Sequence, residues 1–156
     1  MSIFATAPLG IRPDDYHLPL FVHILGALCL VGSLVLASTY LFAARRDGSL
    51  ETVRLGFRSL LLAALPSYIV MRVGAEWIVS KEHLADSDDA WIGIGYSTAD
   101  LGALLIIIST VAAWMALRKA RADGGRSAGS TVAATLVAIL IVAYAVAIWA
   151  MSTKPI

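Results

Sequence analysis

The chain has 156 residues, of which 59% are hydrophobic, with a mean hydropathy of +0.81 and a formal net charge of +1. Soluble domains carry roughly 45 to 50% apolar residues, so this composition excludes an ordinary soluble domain. Twelve Lys and Arg residues are balanced by eleven Asp and Glu, and the basic residues are divided among short loops, which excludes a nucleic-acid-binding surface. The single cysteine, Cys29, rules out an internal disulfide and a CxxC redox or metal motif. It falls in the first apolar run, where a small packing residue is expected.

Residues 1–16 contain Pro8, Gly10, Pro13 and the acidic pair Asp14 and Asp15. This predicts an irregular segment at the membrane surface, and the acidic pair does not fit a cleavable leader with a basic start. A first helix is predicted from about Leu18 to Ala44. Pro19 is tolerated in its first turn, where the missing N–H has no partner anyway. The run exceeds the roughly 20 residues that cross a hydrocarbon core, so the helix must tilt or protrude. Gly26, Cys29, Ser33 and Ala37 recur three or four apart, a stripe that lets a neighbouring helix approach closely.

Arg45 and Arg46 close the first span, and RRDGSLETVR leads to a second helix from about Leu55 to Ser80. Pro66 in its interior removes one hydrogen bond and frees the carbonyl of Leu62, which predicts a kink. The acidic connector KEHLADSDDA reads as a solvated loop. A third helix is predicted from about Trp91 to Leu117, with Tyr96, Ser97 and Asp100 on one side near its start. Ser109 and Thr110, further along, are expected to bond back to the preceding turn. The basic, Gly-rich loop RKARADGGRSAGS precedes a fourth helix from about Ser130 to Met151, with Tyr144 and Trp149 near its end, where amphipathic rings favour the interface.

The predicted fold is therefore all-α and polytopic, a single membrane domain over residues 1–156 in which four transmembrane helices form an antiparallel bundle in the lipid bilayer. Arg45, Arg46, Arg54 and Arg58 surround the first loop, and Arg118, Lys119, Arg121 and Arg126 the third. The opposite side has only Arg12, Lys81 and Lys154. This bias predicts that the two basic loops face the cytoplasm and that both termini are extracytoplasmic.

Charged groups inside the spans are the candidate functional residues. Each costs roughly 2.5 to 3.5 kcal/mol at membrane depth on insertion scales, so it must face protein, water or a partner. Arg72 and Glu76 stand four apart in the second span, on one helical face. At about 1.5 Å per residue, Arg72 lies about 12 Å below the outer helix end, Glu76 about 6 Å, Asp100 about 13 Å and His23 about 7 Å. All four share the outer half of the bundle, and with Tyr96 they make a candidate ligand or proton site. The carboxylates offer hard oxygen ligands or exchangeable protons, and Arg72 would tune them or hold an anion. Alternatively, Arg72, Glu76 and Asp100 form a structural clamp between helices.

His23 is the candidate metal contact, since imidazole is a common ligand for copper, zinc and haem iron. His17, six residues earlier, lies about 240° round the helix from it, so the two cannot share an ion on one regular helix. His83 lies in the connector. The sequence contains no Walker loop, GxSxG, HExxH or dinucleotide fingerprint, and no enzyme is predicted.

The opening HLPLFVHILGALCLVGSLVLAS, the Pro66-bearing second span and the ending VAIWAMSTKP, with Trp149 and Lys154, resemble small bacterial integral membrane proteins that are similar to the copper-resistance D family. The resemblance covers the four spans loosely, through short hydrophobic motifs. It implies a four-span protein of the bacterial cytoplasmic (inner) membrane with a part in copper handling, for which His23 would be a contact. Methionine-rich segments do not accompany it, since Met71, Met115 and Met151 are scattered. The leading expectation is binding or passage of a small cation or proton. The alternatives are a structural or accessory subunit, packing on a partner or another copy of itself, and a b-type haem protein using His23 and a second histidine.

Overall fold

The computed structural model describes residues 17–82, 90–122 and 127–152. They form α1 (His17–Asp47), α2 (Leu50–Arg58), a π-helical segment (Ser59–Ala64), α3 (Leu65–Glu82), α4 (Ala90–Ala122) and α5 (Ala128–Ser152). The N-terminal segment, most of the acidic connector with His83, and the positions Arg126 and Lys154 lie outside the described residues. Because α2, the π segment and α3 run on without interruption, there are four candidate spans, of 31, 32, 31 and 25 residues. The predicted all-α four-helix membrane bundle is thus the fold observed. Its outward faces are apolar: Leu28 is 68% exposed, Leu62 67% and Trp149 67%. A surface of that kind is stable against lipid and not against water.

Two helix boundaries differ by five residues from those predicted, each for a local reason. The first connection contracts to Gly48 and Ser49, and α2 begins at Leu50 instead of near Leu55. Gly48 adopts a left-handed φ of 65° and donates its N–H to the Ala44 carbonyl at 3.0 Å, ending α1. Ser49 then accepts the Thr52 N–H at 3.4 Å as the cap of α2, while Asp47 accepts the Ser49 N–H at 2.9 Å and the Thr52 hydroxyl at 3.2 Å. At the same end of the bundle α4 runs past Leu117 to Ala122, carrying Lys119 and Arg121 in its last turn, where cations suit the negative end of the helix dipole.

Next to Pro66 the winding of the helix changes. Upstream of it the helix widens into the π segment, which closes with the Leu65 N–H on the Leu60 carbonyl. The wider turn moves the carbonyls away from the Pro66 ring, which would collide with that of Leu62 in a regular helix.

The four spans follow one another round a ring. α1 packs against α2 and α3 on one side and α5 on the other, α5 packs along α4, and α4 closes onto α2. The backbones of α3 and α4 come close at few places, and side chains span the space between them. The buried face of α1 runs through Gly26, Leu30, Ser33, Leu34, Ala37 and Leu41, so three of the four stripe residues are buried. Cys29 is exposed instead, since the buried path passes through Leu30. At Gly26 an added Cβ would lie 2.7 Å from the Met71 Cα, and at Gly74 it would lie 2.6 Å from the His23 backbone nitrogen. One glycine on each helix therefore lets the α1 and α3 backbones touch. Ser109 and Thr110 bond back to the Leu105 and Ile106 carbonyls at 2.7 and 2.8 Å, as expected.

Candidate functional site

The cluster is built from two helical pairs with the same spacing. Arg72 and Glu76 are four apart on α3, and Tyr96 and Asp100 are four apart on α4. In antiparallel helices such pairs meet crosswise, the first of one with the second of the other. Accordingly Arg72 Nη2 lies 3.2 Å from Asp100 Oδ1, and the Tyr96 hydroxyl donates to Glu76 Oε2 at 3.1 Å. Within α3, Arg72 Nε reaches Glu76 Oε1 at 3.1 Å. The guanidinium also lies over the Tyr96 ring, 4.7 Å from its centroid. Arg72, Glu76, Tyr96 and Asp100 are thus brought together as one unit.

This unit carries one cation and two carboxylates. The Arg72 side chain is 26% exposed, that of Glu76 49% and that of Asp100 66%, so the carboxylates turn toward the open side of the helix pair. Ion pairs this accessible contribute only about 0 to 1 kcal/mol each in water. The Tyr96 hydroxyl adds a bond to a charged acceptor, while its ring carries the cation contact independently. Replacement Tyr96→Phe is therefore expected to lower unfolding free energy by less than about 1 kcal/mol, and Tyr96→Leu by more, because it removes both contacts. Unfolding in mixed detergent micelles checks the order of the two.

His23 is not part of this unit. Its Nδ1 lies 3.0 Å from the Met71 carbonyl oxygen. A carbonyl only accepts, so Nδ1 carries the proton, and in the neutral form of the ring Nε2 presents a lone pair. The contact follows from the glycine crossing, since Gly74 holds the α3 backbone against His23.

Where α3 and α4 diverge, a partly open cavity of about 650 Å³ lies between α1, α3, α4 and α5. Its walls are mostly aliphatic, and His23, Arg72 and Tyr96 all border it. Glu76 and Asp100 do not line it. Tyr144 does: it is 5% exposed, its hydroxyl set against Gly102 and without a partner among the described residues. The absence of a side chain at Gly102 makes the room for that hydroxyl, a relation between helices that hydropathy along α5 does not reveal.

Among the described residues no three His, Cys, Asp or Glu side chains gather where they could hold a metal ion. His23 offers one nitrogen, and the carboxylates are committed to Arg72 and Tyr96. The only other described histidine, His17, is on the same helix. Among the described residues, therefore, neither a copper centre nor the axial pair of a b-type haem is assembled.

Compared with family models, with curated proteins and with solved structures, the chain shows no significant match. Its class rests on its own fold: it is a multi-pass integral membrane protein with a charged cluster and a cavity between its spans.

Proposed function

We propose that this protein is a non-enzymatic membrane protein that binds and passes protons at the Arg72, Glu76 and Asp100 cluster. The observation that carries this reading is one guanidinium shared by two carboxylates from different helices, at 3.1 and 3.2 Å. With all three ionised the cluster has a surplus negative charge. At membrane depth a surplus charge is costly, and taking up a proton neutralises it. Asp100, the more exposed carboxylate and the one bound through a single oxygen, is the group that exchanges. A small monovalent cation beside the carboxylates would meet the same electrostatic need, and the copper role implied by the resemblance fits less well because the ligands do not converge.

Proton uptake by purified protein in liposomes, followed with an internal pH dye, tests this reading, with Asp100→Asn as the variant that removes the exchanging group. Flux unaffected by that substitution would overturn it. The charge bias of the loops further supports a cluster in the extracytoplasmic half of a bacterial cytoplasmic membrane. In a Cys29→Ala background, an impermeant maleimide applied to intact cells is expected to label Ser152→Cys and not Ala122→Cys. The reverse pattern would invert the orientation.

A further inference from the structure

The cavity presents a second chemistry, carried by residues other than the two carboxylates. We propose that it binds an uncharged lipid-phase molecule with a hydroxyl head on an apolar body, a phenol or an alcohol, whose hydroxyl donates to His23 Nε2. At about 650 Å³ the cavity falls within the range of small-molecule sites, roughly 300 to 1,000 Å³. Leu20, Ile24, Ala27, Ala75, Ala99 and Ile148 supply an apolar lining suited to the body of such a ligand.

The polar groups then decide what the head must be. His23 Nδ1–H is committed to the Met71 carbonyl, and Nε2 has no hydrogen-bond partner among the described residues, so the wall offers an acceptor that calls for a donor. The backbone crossing at Gly74 fixes the ring in place, which limits the entropy lost on binding. An anionic head is disfavoured because Arg72, the cation at the rim, is already held by Glu76 and Asp100. A cationic head finds no carboxylate in the wall, since both turn to the open side. Such a ligand would enter laterally between α3 and α4, whose backbones barely pack. A molecule arriving that way is lipid-soluble.

The test uses protein in nanodiscs with ¹⁵N-labelled histidine, the His23 signal being assigned by its loss in His23→Phe. The probes are 4-octylphenol and 4-octylanisole, which differ in the hydroxyl hydrogen. Octylphenol is expected to move the Nε2 resonance and to bind about tenfold more tightly than octylanisole, the scale of one buried hydrogen bond. His23→Phe should bring the two affinities together, and Ala75→Trp, which fills the cavity, should abolish binding of both. An unmoved Nε2 resonance in the unsubstituted protein, or equal affinity for both probes, would overturn the proposal. Neither result depends on proton flux, and Asp100→Asn is expected to leave octylphenol binding intact, so failure here is distinct from failure of the proton reading.

Discussion

Asp100→Asn is expected to reduce proton flux in liposomes to the level of protein-free vesicles while leaving the bundle folded. Asparagine keeps the size of the side chain and accepts a hydrogen bond from Arg72, but it cannot release or take up a proton. The folded state survives because Arg72 retains Glu76 at 3.1 Å and its place over the Tyr96 ring. Asparagine also removes the surplus negative charge of the cluster, which offsets the loss of the Asp100 ion pair. Asp100→Glu, which preserves the titrating group, is expected to restore a large part of the flux. A structural clamp predicts the opposite division: stability would fall in Asp100→Asn, recover in Asp100→Glu, and no flux would be present to lose. Measuring flux and unfolding on the same three proteins therefore separates a proton site from a clamp.

The largest effect on the fold is expected from Gly74→Leu. The first atom of the new side chain would stand 2.6 Å from the His23 nitrogen and 2.7 Å from its Cα, both backbone atoms that cannot rotate aside. The α1 and α3 helices would have to separate along their main crossing, with loss of packing around Met71 and of the His23 to Met71 bond. Overpacking of a tight core costs about 1 to 3 kcal/mol even where side chains can yield, and a backbone obstacle places this substitution at or above the top of that range. Gly32→Leu is the internal control, because an added Cβ there meets nothing within 4 Å. It should leave stability within about 0.5 kcal/mol. Detergent-denaturation midpoints for the two variants check the contrast, and equal midpoints would mean that the close crossing does not hold the bundle together.

Much of this molecule was legible in the linear chain because a bilayer imposes its demands one span at a time. A helix that must bury its own backbone bonds in lipid needs about 20 apolar residues wherever it lies, so the four spans and the all-α class could be read without knowing what packs against what. That Arg72, Glu76 and Asp100 share one level of the bundle was readable from helical rise alone. Boundaries set by short-range hydrogen bonding were harder. The Ser49 cap and the left-handed Gly48 contract a connection that composition extends to Leu55, and Pro66 is relieved by a π segment.

What only the tertiary structure decided is which faces meet. The four-residue spacings of Arg72 with Glu76 and Tyr96 with Asp100 were visible in the chain, yet their crosswise pairing depends on the rotation and height of α3 against α4. The same holds for the glycine crossing that turns His23 toward Met71, for the burial of Tyr144 against Gly102, and for the exposure of Cys29. In every span apolar residues face both lipid and neighbouring helices, so hydrophobicity marks depth in the membrane but not direction around the helix axis. Direction comes from shape, from small residues that admit a neighbour and large ones that fill the space beside it.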